Sequence, residues 1–276
     1  PEQQAAGFGN AFEWDVPLLD GYTSVTAAPD YANADVNSAA FRGVDVENIG
    51  AALEATRPDV VLIPGWHSVT YLRAARWCRR NRVPVLWRGD SHTADRRSIV
   101  WRIRTRLLLR MFDWYLAVGR ETRDYLTRFG IHGARIFSSP HHVDNDRFAL
   151  DAASRMAARA QVRREHRIGD TDLVILFVGK IASHKRPLDV IDAAARMNTS
   201  ATVMMAGSGP DLDACRARAS DRGVRLVLPG FVNQQRMPAM YAAADVLVVP
   251  GSETWGLVMN EALAAGTPVV ANNSAG

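Results

Sequence analysis

Glu253 and Glu261 stand eight positions apart in Gly251–Ala271, GSETWGLVMNEALAAGTPVVA, on either side of Trp255-Gly256. An ionised carboxylate accepts two hydrogen bonds at once, so Glu261 suits the vicinal diol of a ribose and Glu253 the hydroxyls of a sugar. Between them Gly256 opens a helix. Its first amides, at Leu257 and Val258, carry the positive end of the helix dipole, and the glycine has no side chain to keep a phosphate away. The chain's only two lysines, Lys180 and Lys185, fall in one loop that begins at Gly179, although 33 residues are basic and 31 of these are therefore arginine. A compact ammonium meets a phosphate as a point charge, where a guanidinium fork needs more room. Together these residue types predict a site for a nucleoside diphosphate that carries a sugar. Taken singly, each has a plainer reading, since a glutamate favours the start of any helix and glycine turns are common between strand and helix.

The surrounding pattern supplies the elements that must hold these groups. Asp245–Pro250 is a short β-branched run of the kind buried on both faces of a parallel sheet. Ser252, Glu253 and Thr254 offer loop and N-cap chemistry for a helix over 256–265, which Gly266 and Pro268 end before a strand at 267–271. Further strands are expected at 173–178, 201–206 and 224–228, with helices at 186–197, 210–222 and 234–243 between them and an arginine-rich helix at 151–167. Such alternation predicts a parallel, doubly wound sheet whose ligand loops follow the carboxyl ends of the strands. Gly207, in Gly207-Ser208-Gly209-Pro210, brings backbone close to a ligand there, and Phe231 and Val232 line a base.

The first half reads as a second α/β unit, with strands at 59–64, 84–88, 113–118 and 135–138 and helices at 68–82, 96–111 and 120–129. Residues 1–50 read as polar loop, with Trp14–Leu19 the one compact apolar signal. The domains are thus 1–148 and 149–276. His67, Arg88, Asp90 and His92 follow the carboxyl ends of strands and are this half's candidates for chemistry, though a lone histidine is more often a solvated loop residue. On a helical wheel of residues 96–111, Ile99, Val100, Ile103, Leu107 and Met111 form one stripe, expected to be core, and Trp101, Leu108 and Phe112 a second. Arg96, Arg97, Arg102, Arg104, Arg106 and Arg110 fill the rest. Arg96–Phe112 is compatible both with a solvated charged edge and with contact to anionic headgroups.

Composition bounds these readings. With 276 residues, 47% hydrophobic and 22% charged, the chain is long enough for two domains. No run of about 18 uncharged apolar residues is present, so no spanning helix is expected. Cys78 and Cys215 lack partners at metal-ligand spacing and read as reduced, buried or half-buried thiols. A cytoplasmic protein is expected, at most peripheral at the inner face of a membrane. The pI of 9.4 and formal charge of +4 are mildly basic, and no arginine-aromatic platform points to nucleic acid. Pro1 at one end and a glycine-rich stop at the other predict a fragment.

Gly251–Ala271 closely resembles the donor motif of glycosyltransferase family 4, in which a Glu, seven residues and a second Glu precede a small-residue helix ending Gly-x-Pro-Val-Val. The loop Gly179–Pro187 resembles that family's first loop of the C-terminal domain. Ser139–Phe148 resembles its interdomain segment, departing at His142, where glycine is usual. The resemblance implies the GT-B fold, two Rossmann-like doubly wound parallel-sheet domains facing a cleft, both incomplete here. It implies a retaining transferase that moves a sugar from a nucleoside diphosphate sugar to a glycan, lipid-linked or other hydroxyl acceptor, in cell-surface polysaccharide or glycoconjugate biosynthesis. It gives Glu253 the transferred sugar, Glu261 the ribose and Lys180 and Lys185 the leaving diphosphate, with no metal and no cofactor beyond the donor. The family's sugar-contacting histidine does not transfer cleanly, because Gly89 or Asp90 takes its place and His92 comes later. A sugar-nucleotide epimerase of the same fold and a degenerate, non-catalytic sugar-nucleotide binder remain alternatives.

Overall fold

The computed structural model describes residues 13–25, 41, 45–91, 98–253 and 255–273. The chain divides into two compact units. One is Gly21–His141, and the other joins His142–Gly276 with the segment ending at Asp20.

In the first unit, β1 (Val61–Ile63), β2 (Val85–Gly89), β3 (Trp114–Ala117) and β4 (Ile136–Ser138) form a parallel sheet in sequence order. The helices are α1 (Ile49–Thr56), α2 (Val69–Asn81), α3 (Ile99–Leu109) and α4 (Arg120–Arg128). Ser68 and Ser98 cap α2 and α3, accepting from the amides of Thr70 and Trp101, as short hydroxyl side chains do at helix starts. The core is aromatic: Trp87, Tyr115 and Phe112 are buried with Leu109, Leu126 and Cys78. Helix α1 lies where the sequence reads at least partly as loop. Its apolar signal is only Ile49 and Leu53, one turn apart, and both pack against this core.

In the second unit come α5 (Asn145–Phe148), α6 (Ala152–Glu165), β5 (Leu173–Val178), α7 (Pro187–Ala195), β6 (Ala201–Ala206), α8 (Leu212–Arg222), β7 (Arg225–Gly230), α9 (Met237–Ala243), β8 (Val246–Val249), α10 (Leu257–Ala264) and β9 (Val269–Ala271). The sheet is parallel in the order β7-β6-β5-β8-β9. The chain therefore winds one way from β5 and the other way from β8, which makes the β5/β8 boundary its topological switch point. Alternate residues point to opposite faces. Val174, Leu176, Met204 and Leu247 pack on one side with Phe148, Met240 and Tyr241, while Ile175, Phe177, Val203 and Met205 pack on the other with Ile191 and Cys215. Phe148 is fully buried and meets Tyr241 edge-on at 5.9 Å, so the segment after His141 belongs to this unit by packing.

Residues 13–20 join the second unit through polar contacts. The Asn233 side-chain amide donates to the Glu13 carbonyl at 2.5 Å, and the Gln235 backbone amide donates to the Asp15 carboxylate at 3.1 Å. Leu18 and Leu19, part of the apolar signal at 14–19, are exposed.

Candidate active site

The loops that follow β5, β6, β7 and β8 are knitted together at the carboxyl edge of the second sheet. Ile181 donates to the Ser208 carbonyl at 2.8 Å, and Gly207 donates to the Gly230 carbonyl at 2.8 Å. Gly207 is required here: its φ is +152°, and a Cβ would come within 1.9 Å of the Gly179 carbonyl oxygen. Gly251 serves the same end, since a Cβ there would lie 2.7 Å from the Lys185 Cα. Without a side chain at 251, the loop after β5 closes on the loop after β8.

That approach brings two of the sequence candidates into contact. Lys185, at the end of a short 3-10 turn, donates from Nζ to Glu253 Oε1 at 2.5 Å, and the two side chains are 24% and 17% exposed. Lys180, in the same loop, is half-buried and has no ion-pair partner among the described residues. An ammonium has three donors, so Lys185 can hold Glu253 and still meet a phosphate.

Beyond Glu253 the chain enters α10. Its N-cap is Gly256, in the left-handed region at φ +77°, with no side-chain cap hydrogen bond. The cap position thus falls on Gly256 and not on Ser252 or Glu253, where the sequence placed the cap chemistry together with Thr254. A left-handed turn needs glycine, and a glycine cap offers no side chain of its own to the amides of Leu257 and Val258. Thr254 lies outside the described residues.

Glu261 is one turn further along α10 and is buried at 7% exposure. Tyr241 on α9 donates its hydroxyl to Glu261 Oε2 at 2.6 Å. Burial pushes the Glu261 carboxyl up from its ordinary value, and the Tyr241 hydroxyl and Arg147 guanidinium oppose that only in part. Tyr241 is a partner of Glu261 that the sequence reading missed. The available signal was a phenol in the apolar run Met237–Ala243, because a buried hydroxyl demands a partner. Phe231 is half-buried in the loop after β7, whereas Val232 packs against the core.

The candidates of the first unit do not assemble in the same way. Arg88 is turned to the chain leaving β4: its guanidinium meets the Ser139 hydroxyl at 3.2 Å, the Ser139 and Pro140 carbonyls at 3.3 Å and His141 Nδ1 at 3.2 Å. His67 is exposed and sits edge-on to Tyr71, with ring centroids 5.2 Å apart. Asp90 is exposed just past β2. His92 lies outside the described residues.

Of the stripe expected to be core on helix α3, only Met111 packs against the core. Ile99, Val100, Ile103 and Leu107, expected in the core, are 73%, 73%, 58% and 57% exposed. Buried instead are Thr105, Leu109 and, just past the helix, Phe112, while Trp101 packs edge-on to Phe129 at 5.8 Å. The unit presses its aromatic core against the Trp101 side, and one helix cannot turn both stripes toward one core. Arg96 and Arg97 lie outside the described residues.

Among the described residues, no group of three or more His, Cys, Asp and Glu side chains is arranged to hold a metal ion, and both cysteines are free and buried. No helix among them is long and apolar enough to cross a membrane.

Comparison with known proteins agrees with this architecture. The family described as Glycosyl transferases group 1 matches residues 158–276, and Glycosyltransferase Family 4 matches residues 19–147. The GDP-mannose-dependent alpha-(1-6)-phosphatidylinositol monomannoside mannosyltransferase of Mycobacterium tuberculosis is 34% identical over 150 residues, which cover 50% of this chain and 38% of the relative. The D-inositol 3-phosphate glycosyltransferase of Geodermatophilus obscurus is 36% identical over 166 residues, 55% of this chain and 36% of the relative. The aligned chain thus spans little more than a third of these relatives' length. Among solved structures, Anabaena HepE in complex with UDP and glucose superimposes with a TM-score of 0.65 at 18% identity, over 83% of this chain and 64% of that one. Sucrose-phosphate synthase from Thermosynechococcus elongatus superimposes with a TM-score of 0.64 at 21% identity, over 83% of this chain and 60% of that one. Two family matches that between them run through both parallel-sheet units, and neighbours that share the GT-B fold, lead to one conclusion: the chain belongs to the family 4 glycosyltransferases.

Proposed function

We propose that this protein transfers a sugar, with retention of anomeric configuration, from a nucleoside diphosphate sugar to a hydroxyl acceptor, and that it does so without a divalent cation. The observation that carries the reading is the meeting of Lys185 and Glu253 at the switch point of the second sheet, beside the open start of α10. Breaking the anomeric C–O bond builds negative charge on the departing diphosphate and positive charge on the sugar. Lys180, Lys185 and the amides of Leu257 and Val258 supply fixed positive charge for the first. Glu253, whose carboxylate keeps acceptor capacity beyond its bond to Lys185, takes the sugar hydroxyls. Glu261 takes the ribose diol, with Tyr241 fixing one of its oxygens.

The departing phosphate oxygen receives the acceptor's hydroxyl proton on the face it leaves, while the acceptor oxygen bonds to the anomeric carbon on that same face. The products are the glycoside and the nucleoside diphosphate, and no carboxylate nucleophile is needed. One relative is named for GDP-mannose and one solved neighbour holds UDP and glucose, which supports the donor class and leaves the base to assay. The decisive experiment is nucleotide release by the full-length protein across a panel of nucleoside diphosphate sugars with a mixed glycan and lipid-linked acceptor pool. Release from one donor, lost in Lys185→Ala, is the expected result. Tight donor binding with no nucleotide ever released would make the protein a binder instead of a transferase.

A further inference from the structure

We propose that Arg147 is a positioning residue of the donor site, which from α5 fixes the Gln234 side chain with one nitrogen and steadies Glu261 as a carboxylate toward a ribose diol. The inference rests on the reading of the second unit as a site for a nucleoside diphosphate sugar, and adds to it a residue outside the donor motif. Helix α5 is a single turn whose start is fixed by the Asp144 carboxylate, which accepts from the Arg147 amide at 3.2 Å. The next residue, Phe148, is fully buried and meets Tyr241 edge-on, and Tyr241 in turn holds Glu261. Set against this row, the Arg147 guanidinium lies over the Phe148 ring with Cζ 4.7 Å from its centre, and Nη2 donates to Gln234 Oε1 at 3.1 Å. A guanidinium has only donors, so this bond settles which way the Gln234 amide faces. Its oxygen is turned to Arg147, in the loop after β7 that also carries Phe231 and Val232.

Packing alone does not call for a charge here. Phe148 already joins α5 to the core, and an apolar side chain would cover its ring as a guanidinium does. Yet Arg147 is half-buried, its Nε is buried without a hydrogen-bond partner, and no carboxylate pairs with it among the described residues. A guanidinium held in this way is costly unless an opposite charge offsets it, and the carboxylate its charge reaches is Glu261. The elements packed against α10 are α5, α9, β8 and β9. Of their titratable groups, Tyr241 on α9 and Arg147 on α5 act on Glu261; Asp144 and Asp146 beside Arg147 are exposed, and β8, β9 and the rest of α10 carry none. Among the described residues, Arg147 is thus the positive charge that bears on the buried carboxylate, and it opposes the burial that favours protonation. With Tyr241 on Oε2, an ionised Glu261 keeps the acceptor capacity that a diol needs, and a protonated one gives part of it up.

The test is the affinity of the full-length protein for uridine, guanosine and adenosine diphosphates, measured by calorimetry from mildly alkaline pH downward in the parent, Arg147→Gln, Arg147→Lys and Glu261→Gln. The parent should bind at least one of the three and lose affinity as Glu261 takes its proton. In Arg147→Gln that loss should begin at higher pH and leave affinity about fivefold to tenfold below the parent at the acid end, with a smaller difference at the alkaline end. Arg147→Lys keeps the charge and should follow the parent's limb. Titration of the nucleotide's own phosphate is common to all four proteins and cancels in the comparison. A smaller folded fraction would lower the stoichiometry and leave the limb in place. A limb that Arg147→Gln does not move, a loss of equal size at every pH, or the same displacement in a Glu261→Gln background overturns the proposal and leaves Arg147 as packing. A parent that binds none of the nucleotides at any pH overturns the donor reading itself, and the proposal with it.

Discussion

The two neighbouring strands β5 and β8 carry an ionic cluster at each end, and the two clusters are built differently. At the amino end, Asp245 accepts from the Val174 amide at 2.8 Å, from Arg159 at 2.7 Å and from Arg163 at 2.9 Å. Arg163 is 1% exposed and gives its remaining donors to the carbonyls of Ala243, Gly169, Asp170 and Asp172. Every strong group there is matched within the fold. At the carboxyl end, one lysine meets one glutamate, a second lysine in the same loop has no ionic partner among the described residues, and a helix opens on a glycine cap. A closed set of charges locks α6 to the sheet, while an open set leaves capacity for a ligand. On the proposed function, that contrast, more than the presence of charge, separates structural from chemical residues in this domain.

The comparison breaks most visibly at its closed end. Removing Arg163 leaves Asp245 with Arg159 and the Val174 amide only, takes the guanidinium from the buried Ala243 carbonyl and empties the place of a fully buried side chain, and breaking such a network costs about 3–5 kcal/mol. Arg163→Ala should therefore lower the urea midpoint steeply. Lys185→Ala at the open end should change stability by about 1 kcal/mol or less, because its pair is partly solvated. Equal losses at the two ends would erase the distinction. Activity reverses the ranking: Lys185→Ala should reduce turnover by roughly 10²–10³, the scale for losing one stabiliser of developing charge. Turnover near that of the parent in steady-state assays would remove Lys185 from the leaving-group site.

The same contrast explains what the sequence made legible. The strand β5 coincides with its expected span, and β8 begins one residue late, because buried parallel strands are apolar on both faces and end at glycine or proline. The motif from Glu253 to Glu261 was legible as spacing. The closed cluster was not, since the arginines of α6 look like solvated charge until the packing of α6 against α9 turns Arg159 and Arg163 toward Asp245. Stripes on α3 were legible too, but periodicity carries no sign: a wheel shows two apolar faces without saying which one meets the core. Tyr241 was hidden for a related reason, its hydroxyl having meaning only beside a glutamate that is distant in sequence and adjacent in space.

Two carboxylates on the same side of the sheet should also respond oppositely to pH. Burial pushes Asp245 up, but the Val174 amide and the two guanidinia outweigh it and hold the carboxyl below its ordinary value. A depressed carboxyl contributes stability that is fully present above the ordinary carboxylate range near pH 4 and is lost as pH falls through its folded value. Asp245→Asn should flatten the acid limb of the stability profile. For Glu261 the shift is upward, so the folded state takes its proton first. Its ionised form is a cost at neutral pH that is relieved as pH falls through the folded value toward the ordinary one. Glu261→Gln should remove that relief, and Tyr241→Phe should move it to higher pH, since the lost hydrogen bond opposed the effect of burial. Urea midpoints measured from neutral pH downward give both slopes, and slopes of equal sign would contradict the assignment.

The smallest expected effect is none at all, and it tests the open cluster from the other side. A transferase that lacks fixed positive charge at the diphosphate commonly borrows a divalent ion, held between carboxylates and phosphate oxygens. Here Lys180, Lys185 and the start of α10 already bring that charge to one place, and the two motif carboxylates are otherwise engaged, Glu253 with Lys185 and Glu261 with Tyr241. A bound cation would sit close to the Lys185 ammonium and would be repelled by it. Nucleotide release by the full-length protein should therefore be unchanged in excess EDTA. Activity lost to the chelator and restored by magnesium or manganese would mean that Glu253 leaves Lys185 to hold an ion, and that the open cluster works by a different distribution of charge.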